Sequence, residues 1–443
     1  MHLTLVRPTL GRTEHDDRFV DEARMEPLSL GVLAGLTPEG VDVALVDDRI
    51  DEVDFDAPTD LVAITVETFT ARRAYELAAE YRARRVPVVM GGMHATLLPD
   101  EVAQHADAVV TGDAERVWSR VVADARAGAL APRYRGDLGT PQPGVRPRRD
   151  LYAGKGYLPV SLLQFGRGCP HRCEFCAIGA YFGHRHVARP VAEVLAEIAA
   201  CGRRDLFFVD DNLVADGAAA KELLRALAPL GVRWVSQATV DHARDPELLR
   251  LFADSGCLGN VIGFETLDPD NLRAAHKGTN LRASPRYAEE IAALRAHHLQ
   301  TWAAFTLGYD GDTVDALRET CEWAIAQRFA FAAFNVLMPY PGTPLYDRLA
   351  AEGRLLYDGR WWLHPDYRFN HAAFRPARMT ADELTEVGWA CRRRWSSPGS
   401  ILRRVLDPAT HLASLERFVV YWAYNPLYRR ESFKKQGMRL GTR

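Results

Sequence analysis

The sequence predicts an α/β protein with a doubly wound, Rossmann-like sheet, then a partial β/α barrel and a mainly helical C-terminal extension. Three features predict it. Short apolar runs alternate with helical patterns over the first 130 residues, a proline- and glycine-rich stretch interrupts them, and six further β/α units follow.

In the first part, residues 3–6, 43–46, 61–66, 86–90 and 108–110 read as strands, and 28–36, 71–84, 99–104 and 114–127 as helices. Such alternation implies a parallel sheet, whose ligands sit beyond the carboxyl ends of the strands. Residues 132–159 carry five prolines, five glycines and no hydrophobic period. They are expected to form a linker after an N-terminal domain of residues 1–131. A barrel is expected over residues 160–350. Its strands fall at 162–165, 206–209, 233–236, 261–264, 301–307 and 331–337, and its helices at 191–201, 218–230, 246–255, 288–297 and 314–327. Six units make a partial (β/α)6 barrel of the TIM type, with its chemistry on the loops after the strands. Residues 351–443 lose this alternation and are expected to be a helical region.

Composition narrows the function. Of 443 residues, 47% are hydrophobic and 26% charged, which suits a soluble globular chain with a large core. A net charge of −3 argues against nucleic acid as the main ligand. The first residues, Met1-His2-Leu3-Thr4-Leu5-Val6, read as a strand and not as a signal peptide, and no apolar stretch is long enough to span a bilayer. A cytoplasmic location is expected, with the seven cysteines reduced. Residues 428–443 hold six basic side chains and one acidic. A solvated tail is the favoured reading there, over contact with an anionic membrane. Trp361, Trp362, Trp389 and Trp395 are likewise expected to be ordinary helical core rather than a lipophilic pocket.

Three cysteines crowd the loop after the first barrel strand: Gly166-Arg167-Gly168-Cys169-Pro170-His171-Arg172-Cys173-Glu174-Phe175-Cys176. Thiolates suit iron–sulfur clusters or zinc. Three closely spaced sulfurs can wrap one face of a cubane and leave its fourth iron open for another ligand. His171, His184 and His186 lie nearby, so ligand count alone leaves a structural zinc site open. Other polar residues also stand at strand ends. Asp210-Asp211-Asn212 follows the second strand and could equally be a helix N-cap. Gln237 follows the third and Glu265 the fourth, where a salt bridge to a helix is its plain structural role. Lys277 either reaches a carboxylate or is exposed.

The spacing Cys169-x3-Cys173-x2-Cys176, with Phe175 before the last cysteine, resembles the signature of the radical S-adenosylmethionine (SAM) superfamily. The resemblance implies a [4Fe–4S] cluster on Cys169, Cys173 and Cys176. Methionine of SAM would chelate the open iron, and an external electron donor such as flavodoxin or ferredoxin would trigger release of a 5′-deoxyadenosyl radical. It further implies SAM contacts from Phe175, Asp210, Asp211, Asn212, Gln237, Glu265 (the ribose hydroxyls), Leu307 and Met338. The Phe-x-Asp-Asp-Asn run and the Pro339-Tyr340-Pro341-Gly342-Thr343-Pro344 segment resemble the subgroup that carries a cobalamin-binding domain ahead of the barrel.

Two N-terminal segments support that subgroup: Gly91-Gly92-Met93-His94-Ala95-Thr96 and Thr111-Gly112-Asp113-Ala114-Glu115. Paired glycines let backbone approach a large ligand. By resemblance, Thr65, Gly91, Gly92, His94, Thr96, Gly112 and Glu115 are expected to contact cobalamin. The Asp-x-His-x-x-Gly sequence that supplies a lower axial histidine in many cobalamin proteins is absent. The expected function is a cobalamin-dependent radical enzyme that methylates an unactivated carbon of a small biosynthetic substrate. The alternatives are a radical cyclisation or rearrangement without methyl transfer, and a non-catalytic metal-binding module.

Overall fold

The computed structural model describes residues 1–13, 16–19, 24–139 and 141–442. Its first sheet is built from β1 (His2–Arg7), β2 (Asp42–Asp47), β3 (Leu61–Thr65), β4 (Val88–Gly91), β5 (Ala108–Thr111) and β6 (Arg133–Arg135). These pair in the order β2-β1-β3-β4-β5-β6, all parallel. The order reverses between β1 and β3, the switch point where doubly wound sheets bind ligands. Alternating side chains fill two cores. Val6, Val62 and Ile64 point to the face covered by helix Ala71–Ala83. Leu3, Leu5, Leu61 and Ala63 point to the face covered by helices Leu28–Leu36 and Trp118–Arg126.

The segment expected to be a linker is part of this body. It supplies β6, which periodicity missed because Arg-Tyr-Arg on an edge strand buries a single side chain, Tyr134. Its irregular remainder lies along helix Leu28–Leu36, where a Cβ on Gly31 or Gly35 would strike Tyr152 or the Arg146 carbonyl. Arg149 fastens it by donating to Glu26, to Glu197 (2.8 Å) and to the Leu162 carbonyl (2.7 Å).

The second sheet consists of β7 (Ser161–Leu163), β8 (Asp205–Phe208), β9 (Arg233–Ala238), β10 (Cys257–Glu265), β11 (Gln300–Leu307) and β12 (Phe331–Val336). They are parallel and in sequential order, the open six-unit barrel read from the sequence. The intervening helices start where side chains satisfy free backbone donors: Asp216 accepts from Ala218 and Ala219, and Asp245 from Glu247 and Leu248. The pairing of β10 with β11 slips at its end, between Gly263 and Glu265.

The C-terminal region is helical, with Ala381–Trp395, Pro398–Val405 and Leu415–Lys435. Trp361, Trp362 and Trp395 are buried, as an ordinary core requires. The basic tail is not a solvated tail. Its helix runs to Lys435, Met438 and Leu440 are buried, and Thr442 donates to Glu76 of the first body at 2.7 Å. Apolar residues between the charges drive this docking. No described helix is long and apolar enough to cross a membrane.

Candidate active site

Residues Gly166–Gly168 form an antiparallel ribbon with His186–Ala188, which closes the cysteine loop into a compact excursion after β7. Gly168 takes φ 78°, and a side chain there would run into the Arg185 carbonyl and the Phe182 ring. All three loop cysteines are free thiols, Cys173 buried and Cys169 and Cys176 half-buried. Burial pushes all three thiols up, Cys173 to about 11, and the nearby Lys277 ammonium works against it. A single ion such as zinc needs its ligands converging on one point. Among the described residues no three His, Cys, Asp or Glu side chains do so. A cubane takes each thiolate on a different iron and needs no such convergence.

Two carboxylates hold the backbone ahead of Cys169. Asp210, fully buried, accepts from the Phe165 amide (3.0 Å) and the Gly166 amide. Asp211 accepts from the Gly168 amide at 2.8 Å. Burial raises the Asp210 carboxyl to about 7, while the two amides oppose the rise. Asn212 is buried too, and its Oδ1 has no partner among the described residues.

On the far side of the loop, Glu265 sits at the slip in β10 with φ 66°, an uncommon conformation for a residue with a side chain. The slip turns its carboxylate to accept from Lys277 (2.9 Å) and Thr306 (2.8 Å). Lys277 thus reaches a carboxylate and is not exposed. Burial alone would lower its pKa, but Glu265 and the Cys173 thiol raise it. Its ammonium lies 5.9 Å from the centre of the Phe175 ring, which meets Tyr309 edge-on. Gln237 is half-buried and its backbone carbonyl accepts from the Leu213 amide, and Leu307 lies in the barrel core. Met338 faces the first body, in contact with the Tyr367 hydroxyl at 3.8 Å.

A cavity of about 690 Å³ joins the two bodies. Its walls include Thr65, Gly91, Gly92, Gly112 and Glu115 from the ends of β3, β4 and β5, and Ala177, Ile178 and Asp211 beside the cysteine loop. Gly92 takes φ 108°, and a Cβ there would strike Val66 and Thr65, so only glycine fits at this point of the wall. Thr96 stands behind this wall, its hydroxyl accepting from the Gly112 amide at 2.9 Å. His94 does not face the cavity. Its ring is fully buried between Thr68 (3.2 Å) and Glu101 (3.1 Å). No described histidine lines the cavity.

Arg167 bridges the bodies at the cavity wall. It donates to Glu115 (2.5 Å), Asp113 (3.3 Å) and Gln164 (2.6 Å), and the Tyr181 hydroxyl donates to Asp113 at 3.0 Å. Sequence reading singled out Glu115 but not Asp113, Arg167 or Tyr181. Their signal was a buried charge set awaiting a partner more than fifty positions away.

A parallel six-unit barrel, an open cluster of soft thiolates after its first strand and polar groups at the strand ends define a radical SAM enzyme. Residues 163–324 match the Radical SAM superfamily, and residues 19–122 match the B12 binding domain. The chain belongs to the radical SAM enzymes that carry a B12-binding domain, and its cofactors are a [4Fe–4S] cluster, SAM and cobalamin. It is 29% identical over 393 residues to bacteriochlorophyllide d C-12(1)-methyltransferase of Chlorobaculum tepidum, covering 86% of this chain and 84% of that one. It is 25% identical over 416 residues to hopanoid C-2 methylase of Rhodopseudomonas palustris, covering 89% and 76%. Among solved structures it resembles the cobalamin-dependent SAM radical enzyme OxsB with aqua-cobalamin and SAM bound. The TM-score is 0.66 at 13% identity, over 98% of this chain and 72% of that one.

The residues present fit these groups. The thiols of one loop match the cluster, and the glycine-backed, largely apolar cavity beyond β3, β4 and β5 suits a broad flat ring.

Proposed function

We propose that the protein is a cobalamin-dependent C-methyltransferase acting on an unactivated carbon of a small biosynthetic substrate. The observation that carries this reading is the single cavity shared by the B12-side strand ends and the cysteine loop. A substrate held there lies within reach of both cofactors. The names of the methyltransferase relatives point the same way. When bound, cluster, SAM and cobalamin supply a carbon radical and a methyl group to quench it.

The chain's own residues position and enclose. Cys169, Cys173 and Cys176 hold the cluster, and Asp210 and Asp211 fix the backbone that presents it. Glu265 is aimed to take the ribose hydroxyls, exchanging part of its contact with Lys277. By family resemblance, Phe175, Asn212 and Gln237 would contact the nucleoside, with Leu307 and Met338 packed behind them. The apolar walls exclude water and stray hydrogen donors. A cytoplasmic donor of the flavodoxin or ferredoxin type supplies electrons.

The test is anaerobic turnover with SAM and a candidate substrate. Methylation requires a product heavier by one methylene, with 5′-deoxyadenosine and S-adenosylhomocysteine formed together. A product of unchanged carbon count overturns methylation in favour of cyclisation or rearrangement. Absence of 5′-deoxyadenosine overturns the radical reading. Cys173→Ala is expected to abolish both the cluster's visible absorbance and SAM cleavage.

A further inference from the structure

Large exposed hydrophobic side chains are not scattered over this molecule. Of nine among the described residues, eight lie between positions 402 and 433. Leu415, Phe418, Val419 and Trp422 are spaced i, i+3, i+4 and i+7, so they form one outward stripe on helix Leu415–Lys435. Leu415 is 77% exposed, and the Phe418 and Trp422 rings stack at 6.1 Å. Leu402, on helix Pro398–Val405, and Leu406, just past its end, extend the patch, and that helix packs beside the long one. The opposite face of the long helix is spent on the barrel: Tyr424 stacks on Trp302, and Tyr428 meets Phe331 edge-on.

The surrounding charge is mostly positive. Residues 392–442 hold eleven Lys and Arg against three Asp and Glu, in a chain whose net charge is −3. Of the three acids, Asp407 is buried against Arg295, Glu431 is paired with Lys435, and Glu416 is exposed beside Leu415; of the bases, Arg392 and Arg404 are buried and Arg394 is paired with Glu322. Arg403 is exposed between Leu402 and Leu406, and the outer face of the long helix continues past Trp422 to Arg430 and Lys434.

We propose that this face docks the protein peripherally on an anionic lipid surface. Apolar side chains in a plane with an aromatic at the rim and basic groups around it match the boundary between acyl chains and anionic headgroups. A second copy of the chain fits less well, because a two-fold contact would set each basic rim against its own like charges. The patch lies at the end of the barrel where β11 and β12 begin, since Arg417 donates to the His298 carbonyl and His411 contacts the Arg328 carbonyl. The cysteine loop is at the other end. Docking would therefore hold the enzyme at the surface while leaving its cavity unobstructed.

The test is co-sedimentation of the cofactor-loaded chain with vesicles of phosphatidylcholine alone, or of equal parts phosphatidylcholine and phosphatidylglycerol. Binding is expected to the mixed vesicles and not to the neutral ones. Leu415→Ala with Trp422→Ala should weaken it on the order of a hundredfold. Arg403→Ala should weaken it about fivefold. Both variants should cleave SAM like the parent chain, which shows that they are folded. Failure to bind mixed vesicles, or equal binding to neutral ones, overturns the proposal. So does a dimer in sedimentation velocity that dissociates in the Leu415→Ala/Trp422→Ala variant, which would assign the face to a second copy.

Discussion

At the scale of single residues, the cysteines and His94 show what local sequence can and cannot say. Cys169, Cys173 and Cys176 were legible because their meaning lies in eight consecutive residues on one loop. Resemblance of the Gly91-Gly92-Met93-His94 segment implies that His94 faces cobalamin, but direction depends on what the ring touches. It touches Glu101, which also accepts from Tyr75 (2.9 Å), Trp362 (3.0 Å) and Arg360 (2.8 Å). His94→Gln is therefore expected to leave the absorbance of bound cobalamin as in the parent chain while lowering the melting temperature. Burial pulls the Glu101 carboxyl up, yet His94, Trp362 and Tyr75 together bring it down to about 2. A carboxyl depressed by folding stabilises above its ordinary pKa, and the gain is lost as pH falls from about 4.5 to about 2. Acid titration of the apoprotein should show about 3 kcal/mol lost across that window. Glu101→Gln should flatten this loss.

At the scale of elements, the strand and helix pattern was almost entirely readable, since parallel strands and their covering helices declare themselves by hydrophobic period. What pattern reading could not supply was the pairing between elements. Arg167 sits two residues before Cys169, and its partners Asp113 and Glu115 follow β5. Nothing local announces a contact between positions 52 and 54 residues apart. All three side chains are nearly buried, so removing the cation alone strands two carboxylates. Arg167→Met is expected to cost about 3–5 kcal/mol in denaturant unfolding of the apoprotein. A cycle with Glu115→Gln should show coupling of at least about 1 kcal/mol. Additive effects would mean that the bridge does not join the two bodies.

At the scale of the whole molecule, the sequence divides into consecutive pieces while the structure interleaves them. The expected linker contributes a strand, and the expected tail returns to the first body, where Thr442 and Arg73 bond at 2.8 Å beside Asp48. Tryptophans 361 and 362 belong to the core over helix Ala71–Ala83. Basic composition suggested a free tail because charge is counted easily and the intervening Met438 and Leu440 are few. A chain stopped after Gln436 is expected to lose roughly 3–5 kcal/mol of apolar burial. Hydrogen exchange should report faster opening of helix Ala71–Ala83, with the barrel strands little changed.

The return of residue 442 to helix Ala71–Ala83 also sets an order of events during synthesis. The first sheet can form once β6 has left the ribosome, but the cavity walls from the barrel come later, and the last tie comes some three hundred residues later. At about 5–20 residues per second, the first sheet waits roughly 15–60 s with its strand ends uncovered. Through that interval the strand ends around Gly91 and Gly92 face solvent instead of the barrel.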